Sequence, residues 1–392
     1  MAMTEPLLAI LPSVAFVDDG TRVLMDVKAT EGLLQYASLW PGRVQCYMSR
    51  VAEANMSFGQ WYDRKDLPFD VIAKPADAHA LGKLLAATRV VLVAADIHDH
   101  LDIDRSCNAP VVFIIEYTPA TRRQIVRLST VSAFQKLKTI VWLEKTERQR
   151  KRAFRRCAGL QANGTPAFDA YGSIAAKPLL FFDSRLGIAD YATDDDLARK
   201  AARFASGATT LRLGFSGRLE AMKGAQDLAP LAAELRRGGF HDFTLDIFGS
   251  GVLEPQIRAF IADHDLSGHV KLRGVASFQD ELLPVMKRGI DLFICCHRQS
   301  DPSCTYMETL GCGVPMAGFR NDAFAGVLAL GDVGRAVPMG DLGALARVVR
   351  YYAENPAALA TAARAARDTA LAHAFESTSA KRIAHVRDIA QV

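Results

Sequence analysis

A short basic loop in the second half of the chain has the composition of an anion-binding turn. It follows the apolar run Leu211–Phe215, precedes a helical pattern and reads Gly217-Arg218-Leu219-Glu220-Ala221-Met222-Lys223-Gly224. A turn between a strand and a helix directs backbone N–H groups and a positive helix end toward an anion. Arg218 and Lys223 add two cations, which suits a diphosphate group without requiring a metal. Taken alone, the segment is equally compatible with an ordinary surface loop.

A second segment places a carboxylate near the start of a predicted helix. After the strand-like run Asp291–Cys296 the chain reads Ser300-Asp301-Pro302-Ser303-Cys304-Thr305-Tyr306-Met307-Glu308. Asp301 or Ser303 is predicted to cap the helix, which leaves N–H groups available at its N-terminus. Glu308 follows within the helix, where a carboxylate could accept hydrogen bonds from two ribose hydroxyls. By itself, Glu308 is equally compatible with an ordinary surface position.

A glycine-rich turn lies between these two segments. Phe248-Gly249-Ser250-Gly251 ends a strand-like run, and such a turn is more often structural than ligand-binding. After the second segment, Gly313-Val314-Pro315 ends the predicted helix and starts another strand. The order of the three segments along the chain is therefore more specific than any one of them.

Apolar runs alternate with helical patterns along the chain, which predicts parallel sheets covered on both faces. In the second half, strands are predicted at Leu211–Phe215, Phe243–Phe248, Val270–Leu272 and Asp291–Cys296. Helices are predicted at Gln226–Arg237, at Leu253–Ala262 and after Asp341 as an N-cap. In the first half, strands are predicted at Leu7–Phe16, Val44–Met48, Val90–Ala95, Val111–Ile115, Thr139–Trp142 and Leu160–Ala162.

The length of 392 residues exceeds one ordinary core and suits two domains. The predicted fold class is α/β, with two Rossmann-like doubly wound domains facing a cleft. Residues 1–176 are assigned to an N-terminal domain and residues 177–374 to a C-terminal domain that opens with Leu179–Phe182. Residues 375–392 are expected to form a helix that returns to the N-terminal domain. Such sheets bind ligands at the carboxyl ends of their strands, so the site is expected in the cleft.

The three ordered segments resemble the nucleotide-sugar domain of the retaining GT-B glycosyltransferases of family 4. That family has a Gly-Arg-Leu…Lys-Gly loop, a Gly-x-Gly turn and a Glu-bearing helix ending in Gly-x-Pro, and the resemblance covers roughly residues 207–375. It implies an acceptor-binding first domain, a diphosphate held by Arg218 and Lys223, and a ribose held by Glu308. The residues expected around the nucleotide sugar are Gly217, Arg218, Lys223, Gly249, Arg273, Val275, Ser303, Cys304, Thr305 and Glu308.

Two features depart from the family pattern. The family usually has another glutamate eight residues before the first, in contact with the donor sugar, and this chain has Ser300 at that place. Asp301 stands beside it and is favoured as the substitute, with altered donor recognition or lost activity as the alternatives. The N-terminal domain also lacks the family's Gly-Gly loop, and Asp26–Gly32 stands in its place.

Polar side chains in the first half are candidates for contacts to the acceptor. The loop after Leu24-Met25 supplies three of them, and the fourth precedes Gly164 at a turn predicted on the rim of the cleft. The expected acceptor contacts are Asp26, Lys28, Glu31 and Asn163.

Glu116 ends the predicted strand Val111–Ile115, where relatives carry a histidine at a comparable strand end. A carboxylate there could orient or deprotonate an acceptor hydroxyl. Pairing of Glu116 with Arg122 or Arg123 is the equal alternative. The catalytic residues predicted across both domains are Arg218, Lys223, Asp301 and Glu116.

The composition is that of a globular protein, with half of the residues hydrophobic and 23% charged. The longest apolar runs are too short to span a bilayer, and the N-terminus lacks the basic-then-apolar order of a signal peptide. The seven cysteines are odd in number and show no CxxC spacing. These observations predict a cytoplasmic protein without a metal, and the resemblance implies no cofactor beyond a UDP- or GDP-sugar.

A basic stretch at residues 121–160 concentrates positive charge. It contains twelve Lys or Arg residues against two Glu residues, a local net charge of +10, whereas the whole chain carries +4. Such a patch attracts the phosphates of a lipid surface or of nucleic acid. An anionic membrane surface is the expected partner, with a solvated helix face as the equal alternative. Nucleic acid is disfavoured because no recognised binding motif accompanies the charge.

The resemblance implies transfer of a sugar, with retention, from a UDP- or GDP-sugar to a hydroxyl of a glycan or lipid-linked acceptor in cell-surface or exopolysaccharide assembly. Two alternatives stand beside it. One is a sugar-nucleotide epimerase of the same architecture, which would convert its substrate without an acceptor. The other is a non-catalytic subunit, marked by Ser300, which would bind nucleotide and turn nothing over.

Overall fold

The computed structural model describes residues 5–53, 59–206 and 210–392, so residues 207–209 at the start of the family resemblance lie outside it. The chain divides into two compact units. The first contains the residues up to Pro119 together with Leu137–Phe181 and Glu376–Val392. The second contains Ala120–Lys136 and Phe182–Phe375. Both units are α/β with largely parallel sheets, as the sequence predicts.

The first unit is built on one large sheet. Within the described residues its strands are β1 (Leu7–Leu11), β2 (Ala15–Asp18), β3 (Arg22–Asp26), β4 (Arg43–Arg50), β5 (Gly59–Asp63), β6 (Asp70–Ala73), β7 (Val90–Ala94), β8 (Val111–Ile115), β9 (Gly159–Asn163) and β10 (Pro178–Phe181). They run in the order β10-β9-β8-β7-β1-β4-β2-β3-β5, and β6 also pairs with β4. The strands from β10 to β4 are parallel, whereas β3 is antiparallel to β2 and β5.

The second unit has a smaller, wholly parallel sheet in the order β13-β12-β11-β14-β15-β16. Its strands are β11 (Leu211–Ser216), β12 (Phe243–Phe248), β13 (Val270–Gly274), β14 (Leu292–Cys295), β15 (Met316–Phe319) and β16 (Gly334–Val337). The chain moves outward from β11 to β13 and then returns to β14 beside β11. The strand order therefore reverses between β11 and β14, which is where open α/β sheets bind ligands.

Helices cover these sheets. They are α1 (Val27–Leu39), α2 (Ala78–Leu84), α3 (Pro119–Leu128), α4 (Ala133–Arg156), α5 (Gly164–Tyr171), α6 (Asp194–Ala205), α7 (Leu228–Arg237), α8 (Glu254–Asp263), α9 (Leu283–Gly289), α10 (Thr305–Gly311), α11 (Asp322–Leu328), α12 (Leu342–Glu354), α13 (Pro356–Leu371) and α14 (Phe375–Ala390). Among the described helices, none is both long enough and apolar enough to cross a bilayer.

The strands and helices predicted for the second half are confirmed to within a few residues. Phe243–Phe248 forms β12 with the predicted bounds, and Asp341 caps α12 by accepting a hydrogen bond from the Ala344 N–H group. The strands are buried because helices pack on both faces of the sheet, and Phe215 stacks on Phe293 within that core. Continuous apolar runs were a sufficient signal here.

The predicted strand Thr139–Trp142 is wrong, because these residues lie inside helix α4. Three of the four are β-branched or aromatic, which favours a strand locally. The flanking sequence is rich in Lys, Arg, Glu and Gln, which favour a helix. The helix also buries a stripe at helical spacing, formed by Thr146, Glu147, Arg150, Ala153 and Phe154. Packing of this stripe outweighs the local preference.

The boundaries of the units differ from those drawn on the sequence. Leu179–Phe182 was expected to open the second domain, yet β10 pairs in parallel with β9 at the edge of the first sheet. Ala120–Lys136 groups with the second unit, although it lies within residues 1–176. Composition gives no signal for either feature, because both depend on contacts with residues distant in the sequence.

The last helix, α14, packs into the first unit. Ile383, Val386 and Ala390 are buried in the same core cluster as Leu8 and Val112 of the sheet. The Gln161 side chain of β9 donates to the carbonyl of Arg382, which adds a polar contact. The helix thus supplies part of the core of a unit whose other residues lie far upstream.

We predict that Ile383→Ala lowers the stability of the first unit by about 2–5 kcal/mol, because it leaves a cavity in this core. The three tryptophans, Trp40, Trp61 and Trp142, all lie in the first unit, so their fluorescence during urea unfolding reports that unit. Arg387→Ala alters an exposed residue of the same helix and is the control. An unchanged midpoint for Ile383→Ala would show that α14 does not stabilise this unit.

Candidate functional site

The two chemistry-bearing segments of the second unit follow neighbouring strands. The basic loop begins at Gly217 directly after β11, and the acidic segment follows β14. Because β11 and β14 pair in parallel, both segments leave the sheet at the same edge, where its strand order reverses. The topology therefore brings together two segments that lie far apart in the sequence.

A buried ion pair joins the two segments. The Lys223 ammonium donates to Asp301 Oδ2 at 2.7 Å, and the side chains are 10% and 11% exposed. Lys223 Nζ also lies 3.4 Å from Ser303 Oγ. Burial raises the pKa of the Asp301 carboxyl, but the attraction of Lys223 outweighs burial, and the pKa lies below its ordinary value. The pair is therefore charged, and each partner offsets the cost of burying the other.

The basic loop is held against β14 by further contacts. Gly224 has φ of 67°, and a Cβ atom there would lie 1.8 Å from the carbonyl oxygen of Cys296, so only glycine fits. The Arg298 guanidinium binds Asp227 through two hydrogen bonds of 2.7 and 2.8 Å, and its N–H group donates to the Met222 carbonyl. These contacts fix the position of Lys223 before any ligand binds.

Buried polar atoms without partners surround the ion pair. Within the described ranges, His297 Nε2, Gln299 Oε1 and Asp301 Oδ1 have no hydrogen-bond partner. Burial, assisted by Lys223, lowers the pKa of His297 to about 3, so its imidazole is neutral. Buried orphan atoms are rare in native proteins and usually meet a water, an ion or a ligand. No sequence motif singles out Gln299, and only its burial in the structure does.

Ser300, at the place of the family's second glutamate, is fully engaged in packing. Its N–H group donates to Gln124 Oε1 at 2.8 Å, and Thr121 Oγ1 donates to its carbonyl at 3.1 Å. Its hydroxyl lies 3.1 Å from Asp322 Oδ2. Thr121 and Gln124 belong to α3, within the segment that groups with the second unit. Sequence reasoning missed both residues, because they lie almost 180 positions away.

The predicted capping of helix α10 is wrong. Its N-cap is Cys304, and no side chain caps it, because Asp301 turns to Lys223 instead. Ser303 Oγ lies 3.2 Å from Thr305 Oγ1, and Cys304 Sγ lies 3.4 Å from Asp183 Oδ2.

The opposite end of α10 is held by a buried lysine. The Lys200 ammonium donates to the carbonyl groups of Met286, Cys312 and Gly313. Burial lowers the pKa of Lys200 to about 8. A cation at the C-terminal carbonyls of a helix is favourable, so Lys200 stabilises the helix that carries Glu308.

Glu308 binds an arginine that the sequence did not indicate. Arg185 Nε donates to Oε1 at 2.8 Å and Nη2 donates to Oε2 at 3.2 Å, and the guanidinium stacks 3.9 Å from the Phe278 ring centroid. Arg185 lies 123 residues before Glu308 and belongs to no motif. The pair fixes the orientation of the carboxylate, and each carboxylate oxygen keeps a lone pair for another donor.

Glu308 also lines a recess in the second unit. The recess encloses about 220 Å³, and its walls are Ser216, Phe278, Leu282, Leu283, Met286, Thr305, Glu308, Thr309 and Cys312. Ser216 is the last residue of β11 and directly precedes the basic loop. The predicted ribose residue and the start of the predicted diphosphate loop thus share one cavity, with apolar side chains on one side of it. Pockets of this composition are typical of small-molecule sites.

The other residues predicted around the nucleotide sugar have varied positions. The Arg218 side chain is 63% exposed, and its guanidinium contacts Glu220 and Met222 of its own loop. The guanidinium of Arg273 binds Asp246 at 2.8 Å. The Val275 side chain is 65% exposed after β13.

Gly249 and Gly217 pack against each other. A Cβ atom at Gly249 would lie 2.0 Å from the Gly217 carbonyl oxygen, and the Gly249 N–H group donates to the Gly274 carbonyl. The N–H group of Gly217 in turn donates to the Phe248 carbonyl. These glycines therefore have a structural reason, which is the close packing of the loops after β11, β12 and β13.

In the first unit, two predicted acceptor residues meet. Asn163 Nδ2 donates to Glu116 Oε1 at 3.2 Å, and these residues stand at the carboxyl ends of β9 and β8. The N–H groups of Glu116 and Tyr117 both donate to the Asp96 carboxylate at 2.9 Å. Asp96 follows β7 and was missed, since one aspartate after a strand carries no motif.

The other predicted acceptor residues lie at the start of helix α1. Asp26 is its N-cap and accepts a hydrogen bond from the Ala29 N–H group at 3.0 Å. Lys28 and Glu31 are exposed. Across the described ranges, no group of three or more His, Cys, Asp or Glu side chains is placed to hold a metal ion.

Solved structures share this fold at low sequence identity. Anabaena HepE, in complex with UDP and glucose, matches with a TM-score of 0.63 and 16% identity, over 97% of this chain and 99% of that chain. Sucrose-phosphate synthase from Thermosynechococcus elongatus matches at 0.67 and 12%, over 98% and 99%. A glycosyltransferase from Rickettsia africae matches at 0.66 and 12%, over 99% of each chain.

The second unit matches a known protein family. Residues 198–369, which include both chemistry-bearing segments, match the family model of the glycosyl transferases group 1. No curated protein matches the chain. The chain is therefore a glycosyltransferase with a group 1 domain, built from two parallel-sheet α/β units like those of GT-B enzymes.

Proposed function

We propose that the protein transfers a sugar, with retention at the anomeric carbon, from a UDP- or GDP-sugar to a hydroxyl group of a glycan or lipid-linked acceptor. The observation that carries this proposal is the recess shared by Ser216 and Glu308, beside the loop that carries Lys223. It combines a carboxylate for a ribose with an adjacent cationic loop for a diphosphate, inside a glycosyl transferases group 1 domain.

The donor is placed by the second unit in this proposal. Glu308 accepts hydrogen bonds from the ribose, backbone groups around Arg273–Val275 meet the base, and Arg218 and Lys223 hold the diphosphate. An ammonium offers three donors, and Lys223 directs two toward Asp301 and Ser303, so one serves a phosphate oxygen. UDP is the favoured nucleotide, because HepE was solved with UDP and with UDP-glucose.

The barrier arises from charge that builds on the departing diphosphate while the anomeric carbon becomes cationic. Arg218 and Lys223 stabilise that diphosphate, and their fixed positions avoid reorganisation during the reaction. The leaving phosphate oxygen takes the acceptor proton. Glu116, oriented by Asn163, is proposed to position the acceptor hydroxyl, with Asp26, Lys28 and Glu31 as further acceptor contacts.

The biological setting is proposed from weaker support. All seven cysteines are free thiols, which fits a cytoplasmic location. We place the reaction in cell-surface or exopolysaccharide assembly. Staphylococcus aureus TarM, a structural neighbour with a TM-score of 0.55, was solved with α-GlcNAc-glycerol and UDP, a glycosylated alcohol beside a nucleotide.

A second candidate function has one observation in its favour. Ser300 replaces a carboxylate, and Asp301 is drawn into the ion pair with Lys223, so the chain could be a nucleotide-binding subunit without turnover. Incubation with a panel of UDP- and GDP-sugars, with and without acceptor glycans, separates the readings. Nucleotide release supports transfer. A nucleotide-dependent rise in melting temperature without any release would favour the binding subunit.

Arg218→Ala is predicted to lower turnover about 10²-fold, the scale of a lost donor to a developing negative charge. Because the side chain is 63% exposed, its removal should leave the melting temperature unchanged. Arg237→Ala removes an arginine that is 78% exposed and serves as the matched control. Donor turnover close to that of the unmodified protein would contradict the role given to Arg218.

Lys223→Ala is predicted to lower turnover by about 10²-fold or more and to weaken UDP binding. Removing either partner of a buried ion pair costs about 3–5 kcal/mol of stability, so activity alone does not isolate the role of the cation. Asp301→Asn breaks the same pair but keeps the ammonium, and it should therefore retain UDP binding in calorimetric titrations. If both variants lose UDP binding equally, the pair has a structural role and Lys223 does not hold the diphosphate.

A further inference from the structure

Helix α4 exposes one continuous face at helical spacing. The members of this α4 face are Leu137, Lys138, Val141, Lys145, Arg148, Arg152 and Arg155, all exposed, with Trp142 beside them. They recur every three or four residues, which places them along one side of the helix. The face lies in the part of α4 that belongs to the first unit.

The first half of the α4 face is apolar. Leu137 is 60% exposed, Val141 63% and Trp142 50%, and Phe134, one turn earlier on the same helix, is 77% exposed. Single exposed apolar residues are normal, but several on consecutive turns of one face indicate an interaction surface. The indole of Trp142 packs edge-on against His98, so its exposed edge is held in place.

The second half of the α4 face is cationic and contains no carboxylate. Lys145, Arg148, Arg152 and Arg155 are exposed there. The acidic residues of the helix lie elsewhere: Glu147 is buried, and Glu144 is only half-exposed at the side. The face is therefore a one-sign surface, in contrast to ordinary solvent-exposed helices, where charges of both signs alternate.

The structure also corrects the size of the basic patch. Arg150 lies within the stretch at residues 121–160 but is fully buried, where it binds Glu147, His98 and the Ala95 carbonyl. Arg156 binds Asp104 and Asp102. Neither residue is available to a partner, so the local charge of +10 overstates the surface charge. Arg150 instead locks the buried side of α4 and so fixes the direction of the exposed face.

We propose that the α4 face docks on an anionic lipid membrane. Leu137, Val141 and Trp142 enter the boundary between headgroups and acyl chains, and the cationic half contacts the lipid phosphates. A basic amphipathic helix with an aromatic residue at its apolar end suits this interface. Nucleic acid offers the same phosphates but no apolar layer, so exposed Leu, Val and Trp favour the membrane. This inference does not depend on the proposed function.

The test uses the full chain with vesicles of phosphatidylcholine alone or mixed with phosphatidylglycerol, measured by co-sedimentation. Each basic residue near an anionic surface strengthens binding about 5-fold. Lys145→Gln/Arg148→Gln/Arg152→Gln should therefore weaken binding to the anionic vesicles about 100-fold. The matched control neutralises three arginines of the second unit that are 78%, 65% and 71% exposed, Arg237, Arg258 and Arg288, and it should bind normally.

Insertion is measured separately through tryptophan fluorescence. Trp40 is buried, so Trp61→Phe leaves Trp142 as the exposed tryptophan of the described residues. In this background, brominated phosphatidylcholine mixed with phosphatidylglycerol should quench the emission, and Leu137→Ser/Val141→Ser should reduce the quenching. Equal binding by the triple variant and its control would overturn the proposal. So would vesicle binding without quenching, or release of the protein from vesicles by short duplex DNA at constant ionic strength.

Discussion

The buried pair of Lys223 and Asp301 organises the candidate site. It joins the loops after β11 and β14 at 2.7 Å, at the place where the strand order of the second sheet reverses. A lone charge in this position would be very costly, and the pair reduces that cost without abolishing it. Such an arrangement fixes geometry more than it adds stability. It therefore sets where a cation stands when an anionic ligand arrives.

The pair also sets the chemical difficulty of the site. An ammonium neutralised by a carboxylate attracts a diphosphate less strongly than a free one, so Lys223 must share its donors between Asp301 and the ligand. The exposed Arg218 is not constrained in this way and can supply the balancing charge. The unpartnered atoms of His297, Gln299 and Asp301 lie around the same pair and provide polar positions that a ligand or water can satisfy.

Much of the second unit was predictable because its local signals agree with its packing. Apolar runs became strands, and the glycines of the two loops marked close backbone contacts. Residues that act through distant contacts gave no such signal: Arg185 reaches Glu308, and Gln124 reaches Ser300, only after the chain has folded. Thr139–Trp142 shows the opposite failure, a strong local preference overridden by the helix around it. The roles of the predicted site residues are hypotheses that the contacts make specific.

A crystal structure with bound UDP tests the central claim most directly. The account predicts a diphosphate oxygen within hydrogen-bond distance of Lys223 Nζ, the Arg218 guanidinium turned toward the same group, and the ribose hydroxyls on the Glu308 carboxylate. A nucleotide bound elsewhere, or one bound in the recess while Lys223 contacts Asp301 alone, would contradict it.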